Sequence, residues 1–156
     1  MKMLKVLLRK IIIGETIHEL YERSREYYSK GGIYRRYSDY LDRKIVRNFG
    51  CYLSSKANIG INVKFRHPVG IVIGEGVTIG NNVLIYQNVT LGAARVGEGN
   101  KGLYPRIESG VTIFAGAKIL GSITIGENAS IGANAVVLRD VPPNSVAVGI
   151  PAKILH

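Results

Sequence analysis

From Leu53 onward a large aliphatic or aromatic residue returns at every sixth position, at Leu53, Ile59 and Phe65, then after eight residues at Ile73, Ile79, Ile85 and Leu91. After a wider gap the pattern resumes at Ile107 and continues without a slip through Ile113, Ile119, Ile125, Ile131 and Val137. Four positions behind these later leaders stands a second apolar residue: Val111, Ala117, Ile123, Ala129, Ala135, Val141. Glycine often follows the leader, as at Gly60, Gly74, Gly80, Gly92, Gly126 and Gly132. A period of six matches neither an amphipathic helix nor plain strand alternation. It matches short flat strands joined by tight corners, with one hexapeptide per side of a triangular coil and three per turn. The leader then points inward and stacks on the leader eighteen residues on, while Gly, Asn and Asp take the corners. Residues 53–142 make roughly four such coils, and each buries its interior only against its neighbours, so the ends need caps.

Two segments break the pattern. Residues 93–106, AARVGEGNKGLYPR, read as a loop thrown outward from one corner. The proline-punctuated stretch 141–156 reads as a cap. The first 50 residues have another texture, with apolar positions at helical intervals (Ile13, Ile17, Leu20, Tyr21, then Tyr37, Tyr40, Leu41, Ile45). Two or three short helices are expected there, separated at Gly31-Gly32 and ended by Gly50. The chain therefore divides into a basic helical segment, 1–50, and a β-repeat domain, 51–156.

Composition adds a bias of charge. Of the net +10, residues 1–50 contribute +6 (12 basic, 6 acidic) and residues 51–156 contribute +4 (9 basic, 5 acidic). Such a balance suits an anionic partner. Six of nine Tyr lie among the basic residues of the first 50, yet no nucleic-acid motif accompanies them, and helices packing on a neighbouring subunit would use the same residues, so no nucleic acid is expected. Cys51 is the single cysteine, which excludes an internal disulfide and makes a cytoplasmic protein the simplest reading. Met1–Ile13 is apolar but interrupted by Lys5, Arg9 and Lys10. It lacks a cleavage site and is too short to span a bilayer. It would suit either a helix buried against an assembly of copies or, less well, weak attachment to an anionic membrane face.

Chemistry enters with the runs His67-Pro-Val-Gly-Ile-Val-Ile-Gly-Glu75, Ile85-Tyr-Gln-Asn-Val-Thr-Leu-Gly92, Ala115-Gly-Ala-Lys-Ile-Leu-Gly121, Ile131-Gly-Ala-Asn-Ala-Val-Val137 and Val141-Pro-Pro-Asn144 through Pro151-Ala-Lys153. In this order they resemble the serine acetyltransferase family of hexapeptide acyltransferases, over about the last two-thirds of the chain. The resemblance implies a left-handed parallel β-helix, a homotrimer, and acetyl-CoA held in the groove between subunits. The match to the family's catalytic histidine is His67, in the eight-residue interval where a coil must bulge and can aim a side chain outward. Transfer from a thioester to an alcohol needs a base that titrates near neutrality, which suits imidazole. A backbone N–H near Gly92 is a candidate donor to the oxyanion. By the same resemblance, coenzyme A contacts fall on Gly92, Ala93, Ala115, Ala133 and Lys153. Ala115 and Ala133, eighteen apart, would lie one above the other where small residues let a pantetheine arm approach the backbone.

The chain departs from the serine-using pattern at two places. Arg66 stands where those enzymes carry an aspartate before the histidine, and Tyr104 where they carry a second histidine in the loop. A cation where an α-ammonium would sit argues against L-serine. The expectation at this level is thus acetyl transfer to a sugar or glycan precursor in surface polysaccharide synthesis, with Arg66, Glu75 and Tyr104 as candidate acceptor contacts. Serine O-acetylation is the alternative, and a non-catalytic trimeric scaffold is the reading from another class. A zinc-dependent hydratase is disfavoured, because His67 is the only histidine within the repeats and no metal is expected.

Overall fold

The computed structural model describes residues 15–155. Helices α1 (Ile17–Lys30) and α2 (Tyr34–Phe49) form an antiparallel pair. Thr16 caps α1 with a full capping box, its hydroxyl accepting from Glu19 N–H while the Glu19 carboxylate accepts from Thr16 N–H. Gly31 and Gly32 turn the chain with positive φ, and Gly50 ends α2 in the left-handed region. Leu20, Tyr21, Leu41 and Ile45 are buried between the helices and the first coil. The Tyr21 hydroxyl donates to the Ala57 carbonyl at 2.8 Å, and Arg25 donates to Asn58 Oδ1 at 2.8 Å and to the Ile59 carbonyl at 3.2 Å. The helix pair thereby closes the open end of the coil, which would otherwise expose its interior to water. The Met1–Ile13 segment lies outside the described residues.

Three parallel sheets form the sides of the triangle. The first stacks β1 (Tyr52–Leu53), β4 (Val72–Ile73), β7 (Thr90–Gly92), β10 (Lys118–Leu120) and β13 (Val136–Val137). The second stacks β2 (Asn58–Ile59), β5 (Thr78–Ile79), β8 (Arg106–Ile107) and β11 (Thr124–Ile125). The third stacks β3 (Lys64–Phe65), β6 (Leu84–Ile85), β9 (Thr112–Ile113), β12 (Ser130–Ile131) and β14 (Val146–Val148), with β15 (Lys153–Leu155) folding back antiparallel on β14. The architecture is a left-handed parallel β-helix behind a short helical segment.

Register explains each slip in the repeat. Thr124 pairs with Arg106 and Ser130 with Thr112, at the ideal eighteen residues. Tyr52 pairs with Val72, twenty residues on, because the His67 interval adds two. Thr90 pairs with Lys118, twenty-eight on, because the loop adds ten. Arg106 already belongs to β8, paired with both Thr78 and Thr124, so the protruding segment is 93–105 rather than 93–106. Ile73, Leu91, Ile119 and Val137 form one inward column and Ile85, Ile113 and Ile131 another, all at most 1 % exposed. Burying each such side chain is worth about 1.5–3 kcal/mol.

Asn and Gly hold the corner positions in the left-handed region, and they alternate in the column Gly70, Asn88, Gly116, Asn134. At Gly116 an added Cβ would lie 2.0 Å from the Asn134 carboxamide oxygen one coil on, and at Gly110 it would lie 2.1 Å from that of Asn128. The Asn of one coil therefore folds its side chain over the bare Gly of the coil before it. Cys51 is buried in the column with Ile71, and burial pushes its thiol above the usual range, so it is a packing residue.

Candidate functional site

The corner from the third sheet to the first carries His67. Arg66 N–H donates to the Ile85 carbonyl at 2.7 Å and Tyr86 N–H to the Ile113 carbonyl at 3.0 Å, which sets Arg66, Tyr86 and Phe114 in one column. The Tyr86 and Phe114 rings stack with centroids 5.4 Å apart. The next column is Val69, Gln87, Ala115 and Ala133, since Asn88 N–H donates to the Val69 carbonyl at 2.8 Å and Asn134 N–H to that of Ala115 at 2.8 Å. His67 and Pro68 are the two residues inserted between these columns. His67 has φ +51°, uncommon for a residue with a Cβ, and its carbonyl accepts from Val69 N–H at 2.7 Å in a tight reversal. The reversal pushes the His67 side chain into solvent, where it is exposed. Ala115 and Ala133 thus share the His67 corner, one above the other.

The remaining candidates stand elsewhere. Gly92 and Ala93 lie at the corner from the first sheet to the second, where the loop leaves. Gly92 pairs with Leu120 in the ladder, and an added Cβ there would meet nothing within 4 Å, so the surface above it is open. The loop folds around Glu98, whose carboxylate accepts from Arg95 N–H at 3.0 Å and whose carbonyl accepts from Lys101 and Leu103 N–H. Tyr104 closes it. Its ring lies on Gly74 and Gly76, where added Cβ atoms would come within 2.8 and 2.3 Å of the ring. Glu75, between those glycines, pairs with Lys56 at 2.7 Å. Both groups are exposed, so the pair adds little stability. Lys153 is exposed on β15 and lines a small pocket with Arg139 at the C-terminal end of the coil.

Within one chain the first sheet separates the His67 corner from the Gly92 corner. Their convergence on one ligand requires the Gly92 corner of another copy to face His67.

Two residues, Gln87 at the His67 corner and His18 on α1, escaped the sequence reading. The carboxamide oxygen of Gln87 is buried and has no hydrogen-bond partner among the described residues, and Gln87 stands directly over the His67–Pro68 insertion. Its outward corner position follows from counting hexapeptides, but its burial does not. His18 on α1 stacks on Phe65 with ring centroids 4.9 Å apart. Nothing local signals that contact, which depends on how α1 docks across the coil end. Burial holds the His18 imidazole below its usual range, opposed by the nearby Glu22 carboxylate. Among the described residues no group of three His, Cys, Asp or Glu side chains could hold a metal ion, and no helix is long and apolar enough to cross a membrane.

Stacked coils of hexapeptides, a bulged histidine and a stripe of small corner residues define a left-handed β-helix of the kind found in acyl-transferring enzymes. Residues 104–139 match the family model described as bacterial transferase hexapeptide (six repeats), so the chain carries the repeat of the hexapeptide-repeat transferases. The serine acetyltransferase of Buchnera aphidicola subsp. Schizaphis graminum is 45 % identical over 118 residues, covering 76 % of this chain and 45 % of that one. A solved serine acetyltransferase in complex with CoA superposes with TM-score 0.79 at 38 % identity, covering 88 % of this chain and 55 % of the other. The soybean serine acetyltransferase complexed with serine gives TM-score 0.81 at 40 % identity over the same shares. The chain spans about half the length of the curated relatives it matches.

These relatives overturn the expectation of a glycan acceptor in surface polysaccharide synthesis. They are serine acetyltransferases, the reading first held as the alternative. The glycan argument rested chiefly on reversed charge at Arg66, a side chain that is exposed to solvent, where a charge is well screened.

Proposed function

We propose that this chain transfers the acetyl group of acetyl-CoA to the hydroxyl of L-serine, in an assembly of at least two and, by family, three copies. The observation that carries the reading is the placement of His67. A strained reversal holds it on the corner that also carries the bare Ala115–Ala133 stripe, in a chain whose relatives are serine acetyltransferases.

In this reading the pantetheine arm runs along Ala115 and Ala133, where small side chains let it hydrogen-bond to backbone, with Lys153 near the phosphates. A neighbouring copy supplies Gly92 and Ala93, over which the surface is open. The His67 imidazole takes the proton of the serine hydroxyl as its oxygen attacks the thioester carbon. A backbone N–H beside Gly92 donates to the resulting oxyanion. The carbon–sulfur bond then breaks, the imidazolium returns its proton to the leaving thiolate, and O-acetylserine and CoA are released.

The test is CoA thiol release from acetyl-CoA with L-serine. His67→Ala should lower kcat by about 10²–10⁴-fold, the span a positioned general base contributes, while a calorimetric titration still shows CoA binding. Serine-independent release, or a variant as active as the parent, overturns the assignment. Absence of CoA binding by the parent would leave the chain a scaffold.

A further inference from the structure

A groove that the proposed reaction leaves unused reaches Arg66, the residue before His67 in the chain. It has a volume of about 340 Å³ and is lined by His18, Lys64, Phe65 and Arg66. His18 and Lys64 also line a larger groove of about 710 Å³ between α1 and the first coil, together with Glu22, Arg25 and Asn58. The floor of the smaller groove is the Phe65 ring with the His18 ring tilted 33° over it. Its rim is basic. Lys64 and Arg66, alternate residues on the outer face of β3 and just beyond it, both extend into solvent.

The state of these two cations sets them apart from others nearby. Arg25 is tied to Asn58 and Ile59, Lys56 to Glu75, Arg106 to Glu108, and Lys118 to the Asn88 carbonyl. Lys64 and Arg66 have no carboxylate partner among the described residues. Glu22 is the one carboxylate on these walls, and it lines the larger groove but not the smaller. Two unneutralised cations beside a half-buried imidazole make a site that attracts an anion and surrounds it with three donor groups.

We propose that this groove binds the carboxylate of the acceptor, and that the chain therefore selects small hydroxy-carboxylates by their acid group rather than by an α-ammonium. The inference rests on the proposed acetyl transfer at His67 and names what that site reads. Arg66 precedes His67 directly in the chain, and in this proposal an acid group held by Arg66 leaves the acceptor's hydroxyl free to turn toward the imidazole. A forked guanidinium suits a planar carboxylate, and Lys64 adds a point charge from the same face. The position that would oppose an ammonium is thereby the one that holds the other end of the same amino acid.

The experiment compares four acceptors at fixed acetyl-CoA: L-serine, 3-hydroxypropionate (carboxylate, no ammonium), serinol (ammonium, no carboxylate) and serinamide. The first two should be used with similar kcat/KM and the last two at least roughly tenfold less well, as expected for losing a charged hydrogen bond. Arg66→Gln and Lys64→Gln should each raise KM for the carboxylate acceptors and shrink the ratio between L-serine and serinol. His67→Ala should instead remove turnover with every acceptor, so the two readings fail separately. A readout independent of turnover is the ring proton signal of His18 titrated with 3-hydroxypropionate, which should shift in the parent and not in the Arg66→Gln/Lys64→Gln double variant. If no acceptor turns over, a shift confined to the parent still supports the anion groove, and its absence overturns it. Serinol used as well as L-serine, or a preference for L-serine over 3-hydroxypropionate untouched by either substitution, also overturns the proposal.

Discussion

The seat of Tyr104 on two glycines makes a test of how the loop is held. Neither Gly74 nor Gly76 has positive φ, so alanine is compatible with the backbone at both, and a substitution there reports the contact rather than strain. In Gly76→Ala the new methyl would stand 2.3 Å from one ring carbon and 2.9 and 3.0 Å from two others, so the ring must lift off. Overpacking of this kind costs about 1–3 kcal/mol. Tyr104→Ala removes the ring instead. With ~100 Å² of apolar surface returned to water at ~25 cal/mol per Å², it should cost about 2.5 kcal/mol. In the double variant the added methyl enters space the ring has left, so the two costs should fall short of their sum by about 1 kcal/mol or more. Urea unfolding of the four proteins gives the cycle. Trypsin cleavage at Arg95 and Lys101, both exposed in the loop, should speed up in each variant before the coil itself unfolds. Additivity within about 0.5 kcal/mol, or unchanged cleavage, would refute the clamp.

His18 should make stability depend on pH. Its folded pKa lies below the ordinary 6.5 through burial, so the unfolded chain binds a proton that the folded chain refuses. Stability is then full above about 6.5 and is lost as pH falls from there through the lower folded value, and His18→Asn should flatten that slope in denaturant titrations at pH 5–8. Ala115→Leu and Ala133→Leu point outward from the corner and should leave the urea midpoint within about 0.5 kcal/mol of the parent. Either should weaken CoA binding by roughly tenfold or more in calorimetry, and unchanged affinity would remove the stripe from the site. Gly116→Ala combines φ +76° with a Cβ 2.0 Å from the Asn134 oxygen. It should cost about 1–3 kcal/mol or more, of which Gly116→Ala/Asn134→Gly should recover the part due to the clash and leave the part due to the positive φ.

What could be read from the sequence here is whatever depends on counting. A period of six names the side of the triangle on which each residue sits, so the inward columns of Ile and Val, the two-residue bulge at His67 and the stacking of Ala115 under Ala133 follow without coordinates. What failed to appear are contacts made at right angles to the count. Tyr104 lies on Gly74 and Gly76 because a loop folds back across an earlier coil, and His18 meets Phe65 because a helix docks on an open end, and neither has a local signal. The acceptor argument failed for a related reason. The charge of Arg66 can be read from the sequence, but its surroundings cannot, because His18 reaches the same groove only through the docking of α1. Counting also carries a consequence that packing leaves intact. His67 and Gly92 belong to successive corners, and a rigid stack of coils has no hinge that could fold one corner onto the other. If both serve one reaction, the outward face between them must accept a second copy, and mixing His67→Ala with Gly92→Asp subunits should restore activity that neither variant has alone.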